Sequence, residues 1–224
     1  MQPSPVPAGS SLRRLRWIVW GAALAVGVLA GVLIAVLHSR GGTQSSRSEL
    51  YAPAATWAAG ARPAPDFRLT DQAGQPVSLA RFRGRPVILT FIDPLCRSLC
   101  PREAKELGAL EKGLPAAQRP TIVAVSVNQW ADTHHDLLQD VSRWSLTPQW
   151  HWAVGAPAAM QAVWRKYQIA VQDNPKTITG VTVHNVSHTE AAYVIDANGH
   201  ERALYLWPFR ARDLAGMLRR IAQS

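Results

Sequence analysis

Residues 87–101 read Val87-Ile-Leu-Thr-Phe-Ile-Asp-Pro-Leu-Cys96-Arg-Ser-Leu-Cys100-Pro101, and they give the strongest indication of fold in the chain. The run from Val87 to Phe91 is continuously apolar, which is typical of a parallel strand buried on both faces. Pro101 suits the first turn of a helix that we predict over residues 102–112. A buried strand therefore leads to paired thiols at the start of a helix. The Cys-x3-Cys spacing is wider than the Cys-x2-Cys of a redox motif, so the pair can form a disulfide or bind one metal ion.

On both sides of this stretch the predicted elements are strands and helices. A hairpin is predicted over 67–79, with its turn at 71–74, and a strong Asn-Gly turn at Asn198-Gly199 joins the last two strands. The remaining predicted elements are strand 121–127, a helix from residue 132, strand 150–154, helix 157–167, strands 190–196 and 201–206, and helix 211–222. This order predicts an α/β fold, a thioredoxin-like sheet with an added N-terminal β-hairpin.

The N-terminal part contains a candidate membrane anchor. Residues 17–37 include no charged side chain and are long enough to cross a bilayer as a helix. Arg13, Arg14 and Arg16 precede them, which favours a cytoplasmic N-terminus. A cleaved signal peptide is the alternative, but its apolar region is usually 7–15 residues long and ends at a small-x-small site, which does not follow cleanly here.

These features predict four parts: a cytoplasmic arm 1–16, a transmembrane anchor 17–37, a flexible linker 38–63 and a thioredoxin-like domain 64–224. The linker assignment follows from its Gly, Ser, Thr, Ala and Pro content. The expected location is the plasma membrane, crossed once, with the C-terminal domain outside the cytoplasm.

The net charge of +9 does not indicate a nucleic-acid partner. Part of it belongs to the arginines before the apolar segment, and the rest is scattered. The chain contains no basic run that alternates with aromatic side chains, as binding to a single strand would require.

The cysteine pair is predicted to be functional. A disulfide that closes so small a loop constrains the unfolded chain little, so a purely structural bond would contribute little stability. Cys96 and Cys100 lie at a strand-to-helix junction, where a helix N-terminus lowers the pKa of a thiol.

His188 is the third candidate. It precedes the strand 190–196, at the loop where thioredoxins and peroxiredoxins hold a proline against the thiols, and no proline lies between Pro175 and Pro208. Two thiolates and one imidazole suit copper, because soft thiolates select Cu(I) and imidazole also accommodates Cu(II).

The chain resembles the Sco/SenC family of membrane-anchored copper proteins over roughly residues 64–222. The matching stretches are Phe67-Arg-Leu-Thr-Asp71, Phe82-Arg-Gly84, Val87-Ile-Leu-Thr-Phe91, Cys96-x3-Cys100-Pro101, His188-Thr189 and Tyr193-Val-Ile-Asp196. The resemblance implies one copper ion, Cu(I) or Cu(II), bound by the two cysteines and His188. It implies a partner in the copper-bearing subunit of cytochrome c oxidase, or another extracytoplasmic copper or thiol protein. The protein would donate copper to the binuclear centre, reduce its cysteines, or do both.

Three places depart from that family's pattern: Arg97 stands where many members have proline, Ser187 where they often have aspartate, and Asp93-Pro94 where an aromatic-Thr-His sequence usually precedes the first cysteine. The leading hypothesis is a metallochaperone that is not an enzyme. The alternative is a thiol–disulfide oxidoreductase without copper, in which Cys96 attacks a partner disulfide and Cys100 resolves the intermediate. A peroxiredoxin is disfavoured because Pro-x3-Thr-x2-Cys does not occur.

Other side chains are weaker candidates. His184 is four residues before His188, but its surroundings are predicted to be extended, so it is not expected to be a ligand. His134 and His135 are expected on a solvated helix face. Trp207-Pro-Phe209 is expected to pack the last helix, with a wall of the metal site as the alternative.

Overall fold

A computed structural model describes residues 20, 26–36, 51–131, 139 and 141–223. The chain divides into two compact units, Met1–Glu49 and Leu50–Ser224. In the first unit, residues 20 and 26–36 are helical and expose apolar side chains. No helix within these described residues has the length and apolarity needed to cross a membrane. Outside the described residues lie the predicted arm 1–16, residues 17–19, 21–25 and 37 of the predicted anchor, and residues 38–50 of the predicted linker.

The described part of the second unit contains twelve strands and three helices of defined bounds, and residues 139 and 141–143 are also helical. The strands are β1 Ala55–Thr56, β2 Leu69–Thr70, β3 Pro76–Val77, β4 Val87–Ile92, β5 Thr121–Ser126, β6 Trp150–Ala153, β7 Val171–Asp173, β8 Lys176–Ile178, β9 Val181–Val183, β10 Val186–His188, β11 Ala191–Ile195 and β12 Glu201–Leu206. The helices are α1 Cys100–Lys112, α2 Pro157–Lys166 and α3 Ala211–Ile221, with short 3-10 turns at Leu79–Phe82 and Ala116–Gln118.

A six-stranded sheet in the order β1-β12-β11-β4-β5-β6 forms the centre of this unit. Strands β4, β5 and β6 are parallel, and β11 lies antiparallel to β4 with Ala192 opposite Thr90. The carboxyl end of β4 and the amino end of β11 therefore lie at the same edge. The predicted α/β class and central sheet are confirmed.

Strand β4 is buried on both faces, as its continuous apolar sequence predicts. Ile88 and Ile92 pack in one core with residues of α1 and α3. Leu89 and Phe91 point the other way and pack in a second core with residues of α2 and the β2–β3 hairpin. This alternation follows from the two-residue period of a strand, and all six positions of β4 are buried.

The start of the folded unit differs from the prediction. Residues 51–63 were assigned to the flexible linker, yet β1 pairs with β12, with Ala55 opposite Leu204. The Arg62 guanidinium also lies 2.7 Å from the carboxylate of Glu201, and Trp57 packs against the second core. The composition of residues 51–63 cannot form a core by itself. The strand pairing, the ion pair and the packing of Trp57 hold this segment against the rest of the folded unit.

Residues 171–188 differ from the prediction as well. The sequence predicts only residues 180–186 of this stretch as extended, whereas the structure contains four three-residue strands between residues 171 and 188. Strand β7 pairs with β10, and β8 pairs with β9 around a turn in which Gly180 has φ of +82°. The helix predicted from residue 132 has its residues 132–138 and 140 outside the described part.

Candidate metal and thiol site

The loop between β4 and α1 carries the cysteine pair at the carboxyl edge of the sheet. Asp93, which follows β4 directly, organises this loop. Its Oδ1 accepts hydrogen bonds from the Leu95 N–H and the Asn128 side-chain amide, both at 2.9 Å. Its carbonyl accepts from the Cys96 N–H at 3.1 Å. The Arg97 guanidinium donates a hydrogen bond of 2.7 Å to the carbonyl of Pro94. Arg97, which stands where the resemblance leads us to expect proline, therefore helps to hold the cysteine loop.

The two thiols have different surroundings. Cys96 is half-buried, and its Sγ accepts a hydrogen bond of 3.3 Å from the backbone N–H of Cys100 at the start of α1. Hydrogen bonds from the Cys100 thiol, from the backbone N–H groups of Cys100 and Ser98 and from the Ser98 hydroxyl lower the pKa of Cys96 to about 4, against the opposing effect of its partial burial. Cys100 is fully buried, and both its hydrogen bond to Cys96 and its burial raise its pKa. Cys96 is therefore the thiolate of the pair.

His188 is the last residue of β10 and faces the buried thiol. Its Nε2 lies 3.8 Å from Cys100 Sγ, while its Nδ1 is 3.1 Å from the carbonyl of Thr189. A carbonyl only accepts, so Nδ1 carries the proton and Nε2 presents its lone pair to the thiol. Burial lowers the pKa of His188, which favours this neutral form. The imidazole is thus in the state that a metal ion requires.

Glu190 is a member of the site that the sequence analysis missed. One ligand atom from each of Cys100, His188 and Glu190 lies within 4.8 Å of the other two. Burial and then the negative charge of Cys96 raise the pKa of Glu190 to about 7. The only signal in the sequence is its position two residues after His188 in an extended segment, where alternate side chains point to the same side.

The predicted ligand set is brought together in part. Cys100 and His188 are in contact, and Cys96 adjoins Cys100. Cys96 does not belong to the group of atoms within 4.8 Å of one another among the described residues, so binding one ion through all three predicted ligands requires its side chain to approach His188.

Glu103 is a fully buried carboxyl group one turn after Cys100. Burial raises its pKa to about 8. Its Oε1 is hydrogen-bonded to the hydroxyl of Thr90, which also lies 3.0 Å from the carbonyl of Ala191. Thr90 has a single proton to donate, and the carbonyl can only accept. A protonated Glu103 therefore donates to Thr90, and Thr90 donates to Ala191.

The weaker candidates lie apart from this group. His184 Nδ1 is 2.7 Å from Asp173 Oδ2, and its ring stacks on Trp130 with centroids 3.9 Å apart. Phe209 is buried in the first core, and Trp207 packs edge-on against it, which agrees with the packing interpretation. His134 and His135 lie outside the described residues.

Comparison with known proteins identifies relatives of this architecture. Copper-bound ScoI of Bradyrhizobium japonicum superposes with a TM-score of 0.59 at 23% identity, covering 71% of this chain and 99% of its own. Copper-bound yeast Sco1 gives a TM-score of 0.64 at 18% identity, covering 73% and 90%. The thioredoxin domain of a thiol-disulfide oxidoreductase from Bacteroides vulgatus gives 0.52 at 19% identity, covering 74% and 96%. At these identities the likeness establishes the fold, which is thioredoxin-like as predicted.

No curated protein sequence matches the chain significantly. The family model described as SCO1/SenC matches residues 57–223, which is most of the chain and includes both cysteines and His188. The match begins at residue 57, directly after β1, and so includes most of the segment 51–63 that the structure places in the folded unit. The chain belongs to the SCO1/SenC family.

Proposed function

We propose that this protein binds one copper ion through Cys96, Cys100 and His188. The observation that carries the proposal is the 3.8 Å separation of Cys100 Sγ and His188 Nε2, with the low-pKa thiol of Cys96 beside them. Thiolates select Cu(I), and a neutral imidazole accommodates Cu(II) as well. The copper-bound states of the Bradyrhizobium and yeast relatives support the same metal here.

We infer further that copper is cargo. Cys96 is half-buried and not enclosed, and Leu95 and Leu99 beside it expose apolar surface, which suits transient docking of another protein. The family resemblance suggests the copper-bearing subunit of cytochrome c oxidase as the recipient, with this protein donating copper or reducing the recipient's cysteines.

Copper titration tests the proposal. The purified full-length protein, reduced and metal-free, is titrated with Cu(I) and Cu(II), and the thiolate-to-Cu(II) absorption is followed. We expect one equivalent to bind to the wild type. The variant His188→Ala should lose copper binding. The matched histidine control, His184→Ala, should keep it, because His184 is hydrogen-bonded to Asp173 and does not face the thiols. Equal binding by both variants, or none by the wild type, overturns the proposal.

Reduction of protein disulfides is the second candidate function, and the difference between the two thiols favours it. In this reaction the Cys96 thiolate attacks one sulfur of a partner disulfide and releases the other as a thiolate. The buried Cys100 then attacks the Cys96 sulfur, which forms the Cys96–Cys100 disulfide and releases the second partner sulfur. Two electrons pass to the partner, whose two thiolates take the Cys100 proton and one from water.

A trapping experiment separates the two functions. With the copper-free protein and a peptide that contains one disulfide, Cys100→Ser should accumulate the mixed disulfide through Cys96, and Cys96→Ser should not react. His188→Ala should retain this reaction while losing copper. A wild-type protein that leaves the peptide oxidised argues against the reductant role.

Membrane anchoring through residues 17–37 also belongs to this proposal. Its support is the length of the uncharged apolar segment, the arginines before it, and the exposed apolar side chains of the helical residues 26–36. Extraction of cell membranes at high pH tests it: an anchored protein stays in the pellet, and a variant that lacks residues 17–37 moves to the supernatant. Release of the intact chain at high pH argues against an anchor.

A further inference from the structure

The backbone around Glu190 fixes its side chain beside the thiol and the imidazole. Glu190 lies in the two-residue connection between β10 and β11. Its carbonyl accepts the Trp207 N–H at 3.0 Å, and the Thr189 N–H donates to the carbonyl of Ala170 at 3.0 Å. Both residues of the connection, Thr189 and Glu190, are therefore hydrogen-bonded through the backbone to other parts of the chain. Because residues two apart on an extended chain share a side, Glu190 and His188 both face Cys100.

The carboxylate of Glu190 has an oxygen that no protein group uses. Its Oε2 is buried and makes no hydrogen bond within the described part of the chain. A buried polar atom without a partner costs free energy, so such an atom in a native site calls for a partner that the protein alone does not supply. Positive charge is the partner that a carboxylate in this position would favour most.

The other carboxyl groups near the thiols are already engaged or lie apart. Asp93 accepts two hydrogen bonds that hold the cysteine loop. Glu103 bonds Thr90 through Oε1, and although its Oε2 is also buried without a hydrogen bond, Glu103 lies outside the group of ligand atoms within 4.8 Å of one another. Glu190 is thus the carboxylate of the described residues that can join Cys100 and His188 at one ion.

We propose that Glu190 is a copper ligand in this protein, completing a sulfur, nitrogen and oxygen donor set with Cys100 and His188. The inference rests on the proposed copper site and adds a residue and an oxidation-state preference to it. Thiolate favours Cu(I), whereas a carboxylate oxygen is a hard donor that Cu(I) accepts poorly and Cu(II) accepts well. Glu190 therefore stabilises Cu(II) selectively and has little influence on Cu(I).

Substitution by the isosteric amide tests this. Full-length wild type and Glu190→Gln are titrated with Cu(II), followed by electron paramagnetic resonance and absorption, and with Cu(I) against a competing chelator. We expect the Cu(II) affinity to fall about 10- to 100-fold, with a changed copper hyperfine splitting, while the Cu(I) affinity stays within about twofold. The matched control is Glu106→Gln, which removes one charge from a carboxylate that accepts the Ala211 N–H instead.

The possible outcomes distinguish the ligand role of Glu190 from the proposed copper site on which it rests. A wild type that binds no copper overturns both. A wild type that binds copper, together with a Glu190→Gln variant of the same Cu(II) affinity and spectrum, overturns the role of Glu190 alone. Should the variant fold poorly by circular dichroism, difference infrared spectra of ¹³C-glutamate-labelled wild type decide the matter: a glutamate carboxylate band that shifts on Cu(II) addition supports ligation, and an unshifted band contradicts it.

Discussion

Cys100 Sγ and His188 Nε2 lie 3.8 Å apart, although 88 residues separate them in the chain. They meet because β11 pairs antiparallel with β4, so that the loop after β4 and the connection before β11 occupy one edge of the sheet. The histidine contacts the buried cysteine of the pair, and the half-buried Cys96 faces outward with the low pKa. The two thiols are consequently expected to behave differently toward reagents and toward metal.

Alkylation of the metal-free protein should be selective for Cys96. Its pKa is lowered to about 4, so it is a thiolate throughout the range from pH 6 to 8, whereas the pKa of Cys100 is raised and the side chain is buried. Labelling by iodoacetamide, followed by mass spectrometry, should add one group at a rate nearly independent of pH in this range. An ordinary thiol slows by about tenfold for each pH unit below its pKa.

The control for this prediction is a pair of serine variants. Cys96→Ser should remain unlabelled, and Cys100→Ser should still label once. Equal labelling of both cysteines, or a rate that falls tenfold between pH 7 and pH 6, would contradict the assignment of Cys96 as the thiolate.

Oxidation of the pair should abolish copper binding. Both cysteines are free thiols in this structure, and a Cys96–Cys100 disulfide would remove two of the proposed ligands at once. Protein oxidised with a mild disulfide reagent is expected to bind no copper by equilibrium dialysis, and reduction should restore one equivalent. Full binding by the oxidised protein would place the copper elsewhere.

Arg62→Ala should destabilise the folded unit. Its guanidinium lies 2.7 Å from the carboxylate of Glu201, whose side chain is 1% exposed, so the substitution leaves a buried acid without its ionic partner. We expect a loss of about 1 to 3 kcal/mol in the free energy of unfolding by denaturant, reduced from a fully buried case because Arg62 is partly exposed. Arg68→Ala, at an exposed arginine, should change it by less than about 0.5 kcal/mol. Equal effects of the two substitutions would contradict a stabilising contribution from this ion pair.

The central sheet was predictable because its strands carry their own signal. The run at 87–92 is apolar on both faces, and Asn198-Gly199 marks the turn before β12. Residues 51–63 carried no such signal, since they contribute one short edge strand and single contacts to a core built by other segments. Strands β8 and β9 are exposed along their whole length, and three residues are too few for an alternating pattern to identify a strand.

The site was predictable where spacing and topology act together. Cys96 and Cys100 are marked by the junction they occupy, and His188 by its place before β11. Glu190 could not be identified, because a glutamate in a two-residue connection has no spacing that distinguishes it from a solvated residue. Only the structure shows that Glu190 is half-buried, with its Oε2 enclosed and a carboxylate oxygen within 4.8 Å of the ligand atoms of Cys100 and His188.

Glu103 should make the stability of the protein depend on pH. Burial raises its pKa to about 8 from an ordinary value of 4.5, so the folded state keeps a proton that the unfolded state loses between these values. The unfolded state then binds fewer protons, and the free energy of unfolding must fall as pH rises from about 4.5 to 8, by up to about 1.4 kcal/mol for each pH unit. Glu103→Gln keeps a donor for Thr90 without an ionisable proton, so urea unfolding of this variant between pH 5 and 8 should show a shallower decline than the wild type. Glu106→Gln, on the same helix but only partly buried, should keep the wild-type slope. If both variants decline as steeply as the wild type, the buried proton of Glu103 is not the cause.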